Sequence, residues 1–388
     1  MVKLKRIRLS GYKSFRGDPR MSPAAASAEP GTHGDRSIEF GDVTVFLGAN
    51  GAGKSNIVSF FRMLAYMNTG ALQEYIGRFG GSDSLLHYGR QTTQQIQAEL
   101  EFEGDDRRTT YRMTLADAAP DTLIFTNEAV EFQREGHPQR QEIALGSGHK
   151  ESALIERAVR GDTTCQALLK YLWNSRTYQF HDTSGAARIR KECYIEDAGP
   201  LRSDAGNLAA FLNAMRVGQP ECYGRIVETV RMAFPSFGDF ELEPSPLNER
   251  TILLNWREKD RSEHLFGPHQ LSDGTLRFMA LTALFLQPPE NLPGVIVIDE
   301  PELGLHPYAV SLLAAMIKSA SIHCQVVLAT QSITFVNHFL PENVVVVERE
   351  NGASVTKRLD TEQLAVWMEE FGYGVGDMWD RNMFGGRP

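Results

Sequence analysis

GANGAGKSN (residues 48–56) and VIVIDEPELGLHP (residues 295–307) together decide how this chain folds. The first fits G-x-x-x-x-G-K-[ST]. Gly48, Gly51 and Gly53 let the backbone curl so that the N–H groups of Asn50, Gly51, Ala52, Gly53 and their neighbours converge on a phosphate, and Lys54 adds a point charge. An apolar run, residues 43–47, precedes it and a helical pattern over residues 55–66 follows, which is the strand, loop and helix order this motif requires. In the second segment, residues 295–298 read as a fully buried strand with Asp299 and Glu300 at its carboxyl end, where open α/β sheets place their chemistry. The expected fold class is therefore α/β.

Phosphoryl transfer assigns these residues different tasks. Mg²⁺ takes oxygen ligands, and Ser55 with Asp299 offers one hydroxyl and one carboxylate, direct or through water. Glu300, one residue further on, is free to polarise an attacking water, which points to nucleotide hydrolysis rather than simple nucleotide sensing. The competing reading makes Asp299 and Glu300 plain caps of the turn at Pro301. The phosphate-loop pattern in the same chain weighs against it.

LSDGT (residues 271–275) stands directly before an apolar helix expected over residues 276–286. Ser272 and Gly274 at a helix N-terminus can make an anion site, and Ser272 or Asp273 can equally make an ordinary cap. The stretch resembles the LSGGQ signature of ABC-type ATPases and lies upstream of the acidic strand, as in that class. The opening LKRIRLSGYKSFRG resembles the first strand and turn of the RecF, SMC and OLD group, which implies that Lys13, Ser14 and Phe15 lie beside the nucleotide. EPELGLHP resembles that group's D-loop. VVLATQSITFVNHF resembles its switch strand, but Gln331 stands where most relatives carry His. A Gln can donate a hydrogen bond to phosphate yet carries neither proton nor charge, so turnover would be slow or would need a partner.

The resemblance is to the short RecF/SMC/OLD-like ATPases of prokaryotic genome maintenance and anti-phage defence, and it covers about residues 1–70 and 265–345. It implies an ABC-type P-loop NTPase head with a mixed central sheet, an antiparallel β subdomain and a compact helical lobe. It also implies ATP and Mg²⁺ as ligands, and an ATP-dependent homodimer in which Ser272 and Gly274 of one copy complete the other's site. The glutamine-loop position falls within residues 178–183, making Gln179 or His181 the γ-phosphate and Mg²⁺ sensor. For either residue alone, a solvent-facing strand end is an equal reading. TYQFHDTS and GDMWDRNMFGGRP also resemble the short subgroup, with no mechanistic content.

Composition agrees with one large α/β unit. A chain of 388 residues with 42% hydrophobic content can bury a substantial core, and a single two-lobed head over residues 1–388 uses that length. Nucleotide-binding lobes are expected over residues 1–180 and 265–388, with a helical insertion over about 182–248. No transmembrane run and no signal-peptide apolar region is legible, so a cytoplasmic protein without membrane contact is expected. Cys165, Cys193, Cys222 and Cys324 are widely spaced without a C-x-x-C pair and read as buried fillers. The net charge of −9 is not that of an obvious DNA binder. Lys3, Lys5, Arg6 and Arg8, and then Arg188, Arg190 and Lys191, form local basic clusters that read more readily as solvated faces than as a DNA surface.

Along the chain, residues 21–36 are rich in Pro, Gly, Ala and Ser and read as a mobile loop. Strands are expected over residues 96–102, 111–115, 123–126 and 130–134, forming the antiparallel part near residues 95–145. Helices are expected over about 152–173 and 207–234, the latter capped by Ser203 or Asp204, without the heptads of a coiled-coil arm.

Three function classes compete: an ATP-switched dimer working with DNA or a separate nuclease-like effector, the nucleotide-binding subunit of an ABC transporter, and a self-contained OLD-type nuclease. The opening strand and the long interval from Lys54 to Ser272 disfavour the transporter. The stretch after Gln331 offers Glu348, Glu350 and Asp360 without the clustered D-x-D of a Toprim nuclease, and is expected to be too short for one.

Overall fold

The computed structural model describes residues 2–18, 21, 37–104, 107–134, 136, 139–361, 364, 367, 369–370 and 372–386. Apart from Met21, the Pro/Gly-rich loop expected over residues 21–36 lies outside them. The chain forms two compact units: Met1–Arg176, Glu342–Asp360 and Asn382–Pro388 make the first, Thr177–Pro341 and Thr361–Arg381 the second.

In the first unit, strands β1 (Lys3–Ser10), β2 (Ser37–Glu39), β4 (Gln95–Glu103), β5 (Arg107–Ala118), β6 (Thr122–Arg134) and β7 (Gln141–Gly146) build an antiparallel sheet in the order β2-β1-β4-β5-β6-β7. Period-2 alternation fixes its two faces. Leu4, Ile7, Ala98, Leu100, Phe102, Tyr111, Met113 and Leu115 are buried, while the opposite face carries charge. There Arg6 stands opposite Glu101 and Arg8 opposite Glu99 in register, and each is paired at 3.5 Å. Arg112 bonds both Glu99 and Glu131, and Arg140 bonds Glu131. Lys3 and Lys5 are paired with Asp42 and Glu103. Arg6, Arg8 and Lys5 are thus neutralised by cross-strand carboxylates and Lys3 by Asp42 of the loop after β2, a sheet-stabilising pattern rather than an open basic face.

β3 (Val43–Leu47), buried at every position, precedes helix α1 (Lys54–Met67), which buries Ile57, Phe60, Phe61, Leu64 and Met67. Short helices α2 (Leu72–Arg78) and α3 (Gly81–Leu85) follow. The helix expected over residues 152–173 is two helices, α4 (Leu154–Val159) and α5 (Thr163–Trp173). Gly161 at φ +97° ends the first, and Asp162 caps the second by accepting from the Thr164 and Cys165 N–H groups. The strands expected over residues 123–126 and 130–134 are one strand, β6, whose ladder with β5 absorbs a bulge between Thr114 and Leu115.

β8 (Ser175–Tyr178) leads into the second unit and stops before Gln179, so residues 179–183 are not strand as expected. Helices α6 (Leu208–Gly218) and α7 (Pro220–Ala233) replace the single helix expected over 207–234, because Pro220 cannot continue α6 and instead opens α7 at its first turn. Asn207 occupies the α6 cap position without a side-chain cap bond, and Asp204 Oδ1 accepts from the Gly206 N–H instead. The stretch expected as a helical lobe, about residues 182–248, also contains strands, and the small sheets run on past it to Phe266. β9 (Cys193–Tyr194), β11 (Pro244–Ser245) and β12 (Asn248–Ile252) form one small sheet; β10 (Phe237–Glu241), β13 (Asn255–Glu258) and β14 (Arg261–Phe266) form another.

The second unit's core surrounds helix α8 (Asp273–Phe285), strand β15 (Val295–Asp299), helix α9 (Pro307–Ala320) and strand β16 (Gln325–Thr330). β15 and β16 pair in parallel and are buried throughout, as a strand covered on both faces should be. After the short helix α10 (Ile333–Val336), β17 (Val344–Glu350) and β18 (Ala353–Arg358) return to the first unit. There β17 pairs parallel with β3 and antiparallel with β18, a mixed ladder. Helix α11 (Val375–Asp380) packs in the second unit, where Asn337 Oδ1 accepts from the Gly376 N–H. Cys165, Cys222 and Cys324 are buried and Cys193 is partly so; all four are free thiols. Among the described residues, no helix is long and apolar enough to cross a membrane.

Candidate functional site: a phosphate loop and an acidic strand end

β3 delivers the chain into the glycine loop at its carboxyl end. Gly51 and Gly53 adopt φ +80° and +114°, and a Cβ on Gly53 would lie 2.0 Å from Ser354 Oγ and 2.7 Å from Ser14 Oγ. A Cβ on Gly48 would lie 2.2 Å from the Val347 carbonyl oxygen. Position 48 therefore needs glycine for close approach and position 53 for both approach and conformation. Lys54, only 5% exposed, donates from Nζ to the Gly48 and Ala49 carbonyls at 2.7 and 3.0 Å. Asn50, Gly51 and Ser55 are exposed, so the rim of the loop and the first turn of α1 face outward. The N–H groups of that turn make a ready anion site.

The opening turn packs onto this loop. Asn56 Nδ2 donates to Ser14 Oγ at 2.7 Å, Ser354 Oγ lies 2.7 Å from Ser14 Oγ and 2.5 Å from the Ala52 carbonyl, and the Ser354 N–H bonds the Ser14 carbonyl. Ser14, Ala52, Gly53 and Asn56 thus converge. Lys13 takes a left-handed φ of +48° and donates to Ser59 Oγ. Burial, with Arg62 nearby, pulls its ammonium below the ordinary range. The Gly386 carbonyl accepts from the Ala49 N–H at 3.2 Å, which gives the C-terminal glycines a structural place that their sequence did not reveal.

In the second unit, Asp299 ends β15 and is 7% exposed; its Oδ1 is enclosed without a hydrogen-bond partner. A buried oxygen left open, in a carboxylate, suits a hard cation, so the donor chemistry at Asp299 fits Mg²⁺. Among the described residues, no group of three or more His, Cys, Asp or Glu could hold a metal ion. Glu300 sits at φ +43°, a left-handed conformation uncommon outside glycine, and its N–H bonds the Ala329 carbonyl at 2.8 Å.

Several other residues singled out in the sequence belong to the same unit. His181 donates from Nε2 to the Asp299 carbonyl at 2.8 Å, so that nitrogen carries the proton. Gln179 is exposed, with its backbone N–H on the Ser203 carbonyl. Gln331 is exposed just past β16. Ser272 caps α8 by accepting from the Thr275 N–H at 3.1 Å, the cap allowed for in the sequence. A Cβ on Gly274 would lie 2.1 Å from the Gly304 carbonyl oxygen, so the LSDGT helix start touches the loop that follows Glu300.

Three further residues carry this geometry and were not singled out for these contacts. Arg277 donates to the Phe180, His181 and Leu303 carbonyls at 3.0, 2.7 and 2.9 Å, clamping three loop positions from α8. Arg190, read earlier as part of a solvated cluster, is buried and bonds the Thr183, Pro268 and Leu271 carbonyls and the Asp273 carboxylate. The Thr183 hydroxyl and then Arg190 hold Asp273 below the usual carboxylate range. Glu302 bonds Thr330, and burial pushes its carboxyl up to about 7. Its short phrase offered a signal in the second acid of EPE, but its partner 28 positions away was not legible.

The Smc head bound to the C-winged helix domain of ScpA has a similar structure, with a TM-score of 0.59 at 14% identity over 94% of this chain and 99% of that one. A Pyrococcus furiosus Smc head with an extended coiled coil, bound to the C-terminal domain of ScpA, also gives 0.59 at 14% identity, covering 96% and 100%. At this identity the likeness shows the fold alone, that of Smc head domains. No curated protein sequence matches. The family model described as "AAA domain, putative AbiEii toxin, Type IV TA system" matches residues 43–337. That match runs from the strand before the phosphate loop to the helix after Gln331, most of the chain, and the protein belongs to this AAA family.

Proposed function

We propose that this protein binds ATP with Mg²⁺, hydrolyses it to ADP and phosphate, and works as an ATP-switched dimer in DNA repair or anti-phage defence beside a separate nuclease-like effector. The observation that carries the reading is the enclosed, partnerless Asp299 oxygen at the end of β15, with Glu300 held next to it in a left-handed turn. A structural cap would have satisfied that oxygen.

In this reading Lys54 leaves the loop carbonyls for the β- and γ-phosphates, and the backbone N–H groups from Asn50 to Asn56 cradle the phosphate chain. Lys13 and Ser14 flank the nucleotide. Ser55 and Asp299 hold Mg²⁺, which supplies charge neutralisation on the phosphate oxygens. Glu300 accepts the proton of the attacking water, and Gln331 donates a hydrogen bond to the γ-phosphate. Of the two glutamine-loop candidates, exposed Gln179 is better free to reach a ligand than His181, whose Nε2–H is engaged. Ser272 and Gly274 of a second copy close over the phosphate. Hydrolysis removes contacts made only in the closed state, and a difference of several kcal/mol between states suffices to gate a partner.

The test is the mass of Glu300→Gln protein by light scattering, with and without ATP and Mg²⁺. An ATP-dependent doubling, absent when Lys54→Ala is added, supports the switch; a further shift with duplex DNA supports a nucleic-acid partner. Normal ATP turnover by Glu300→Gln removes Glu300 from the reaction.

A further inference from the structure

The turn that carries Glu300 and the turn that carries Gln331 are stapled together twice. The Glu300 N–H bonds the Ala329 carbonyl at 2.8 Å, and the Glu302 carboxylate accepts at Oε1 from Thr330 Oγ1 at 2.5 Å. Thr330 is wholly buried, and its hydroxyl oxygen also accepts from the Ser332 N–H at 2.9 Å. One hydroxyl therefore grips the backbone on the far side of Gln331 while pointing its own proton at Glu302. Ser332 in turn caps α10 by accepting from the Phe335 N–H. On the other turn, the Leu303 and Leu305 N–H groups close onto the Glu300 and Glu302 carbonyls at 3.2 and 3.0 Å. A glutamine side chain has several rotatable bonds and no charge, so its aim depends on the backbone that holds it.

We propose that Glu302 is a positioning residue for hydrolysis, fixing through Thr330 the turn on which Gln331 sits and holding it in register with Glu300. This rests on the hydrolysis reading above. Glu302 does not touch the reacting atoms; it does for Gln331 what an orienting carboxylate does for a catalytic side chain, in a chain whose switch position lacks a self-sufficient ionisable group. Its other oxygen, Oε2, is enclosed and partnerless, and Glu302 persists there beside Asp299 and Glu300 although a neutral residue would be easier to bury.

Steady-state ATP turnover of the full chain tests this. Glu302→Met, which keeps the volume and removes the acceptor, should lower kcat about tenfold while KM for ATP stays within about twofold, as expected for an interaction that matters only in the reacting complex. Thr330→Val should do the same. Glu302→Gln and Thr330→Ser, which keep an accepting oxygen and a donating hydroxyl, should recover most of the rate. In a Gln331→Ala background, Glu302→Met should add almost nothing, since the two act as a unit. An undiminished loss in that background, or an unchanged kcat in both Glu302→Met and Thr330→Val, overturns the inference. If Glu302→Met does not fold, the Thr330→Val and Thr330→Ser pair carries the test. Retained turnover in Glu300→Gln would bring down the hydrolysis reading itself; a dead Glu300→Gln with normal Glu302→Met and Thr330→Val sinks only the positioning role.

Discussion

Replacing Glu302 by Gln should make the folded protein less sensitive to alkaline pH. Burial raises the Glu302 carboxyl from 4.5 to about 7, with the charges of Glu300 and Asp299 adding to the rise and the Thr330 hydrogen bond opposing it. The folded state thus holds a proton that the unfolded chain releases above about pH 4.5. This contribution is fully present below the unfolded value and is lost as pH rises through about 7. Each pKa unit is worth about 1.4 kcal/mol, so the full shift would correspond to about 3 kcal/mol. The residue as a whole is only partly buried, and solvent screening brings the expectation down to about 1–2 kcal/mol. Gln has the same shape and never ionises. Thermal unfolding of wild type and Glu302→Gln, in chelator and without nucleotide, should give closely similar midpoints at pH 5 after allowance for the substitution itself. The gap should widen in favour of Gln by about 1–3 °C at pH 8.5. Every other titrating group is shared by the two proteins, so apart from the coupling to Asp299 and Glu300 the difference reports Glu302. A gap that stays flat from pH 5 to 8.5 would refute a neutral, buried Glu302 in the folded state.

Two further changes probe the same unit. Gly274→Ala forces a methyl against the Gly304 carbonyl and should cost about 1–3 kcal/mol by overpacking, read as a lower melting midpoint, and should weaken the ATP-dependent mass doubling of Glu300→Gln protein. Arg190→Leu strands the Thr183, Pro268 and Leu271 carbonyls it now satisfies and should destabilise by about 2–4 kcal/mol in urea unfolding, whereas substituting exposed Arg188 should change little.

The parts legible in the sequence are those in which chemistry and local pattern coincide. The buried runs at Val43–Leu47 and Val295–Asp299 are strands, and each ends at the residues that a phosphate site would use. Ser272 was legible as a cap because capping is local. Helix continuity was over-read: apolar periodicity runs across Gly161 and across Gly218 and Pro220, yet those residues break the chain into α4 and α5 and into α6 and α7. The small sheets from β9 to β14 were missed because strands of two to six residues show too few alternations to compete with a helical reading. Arg190 and Arg277 were illegible as structural residues for a different reason. Apart from Asp273, their partners are backbone carbonyls, which every residue has, so no residue type marks the far end of those contacts.

The paired charges on the outer face of the antiparallel sheet bear on how any polyanion could bind there. Arg6, Arg8, Arg112 and Arg140 are each closed by a glutamate of the same sheet. A phosphate arriving at this face would find no idle guanidinium among these four; it would have to evict Glu101, Glu99 or Glu131, making association an exchange reaction between an incoming and a departing anion. Added salt weakens both sides of such an exchange. The steep decline of affinity with ionic strength that marks a bare basic surface would therefore be flattened on this one, and the glutamates would act as built-in competitors that admit only ligands offering more than charge.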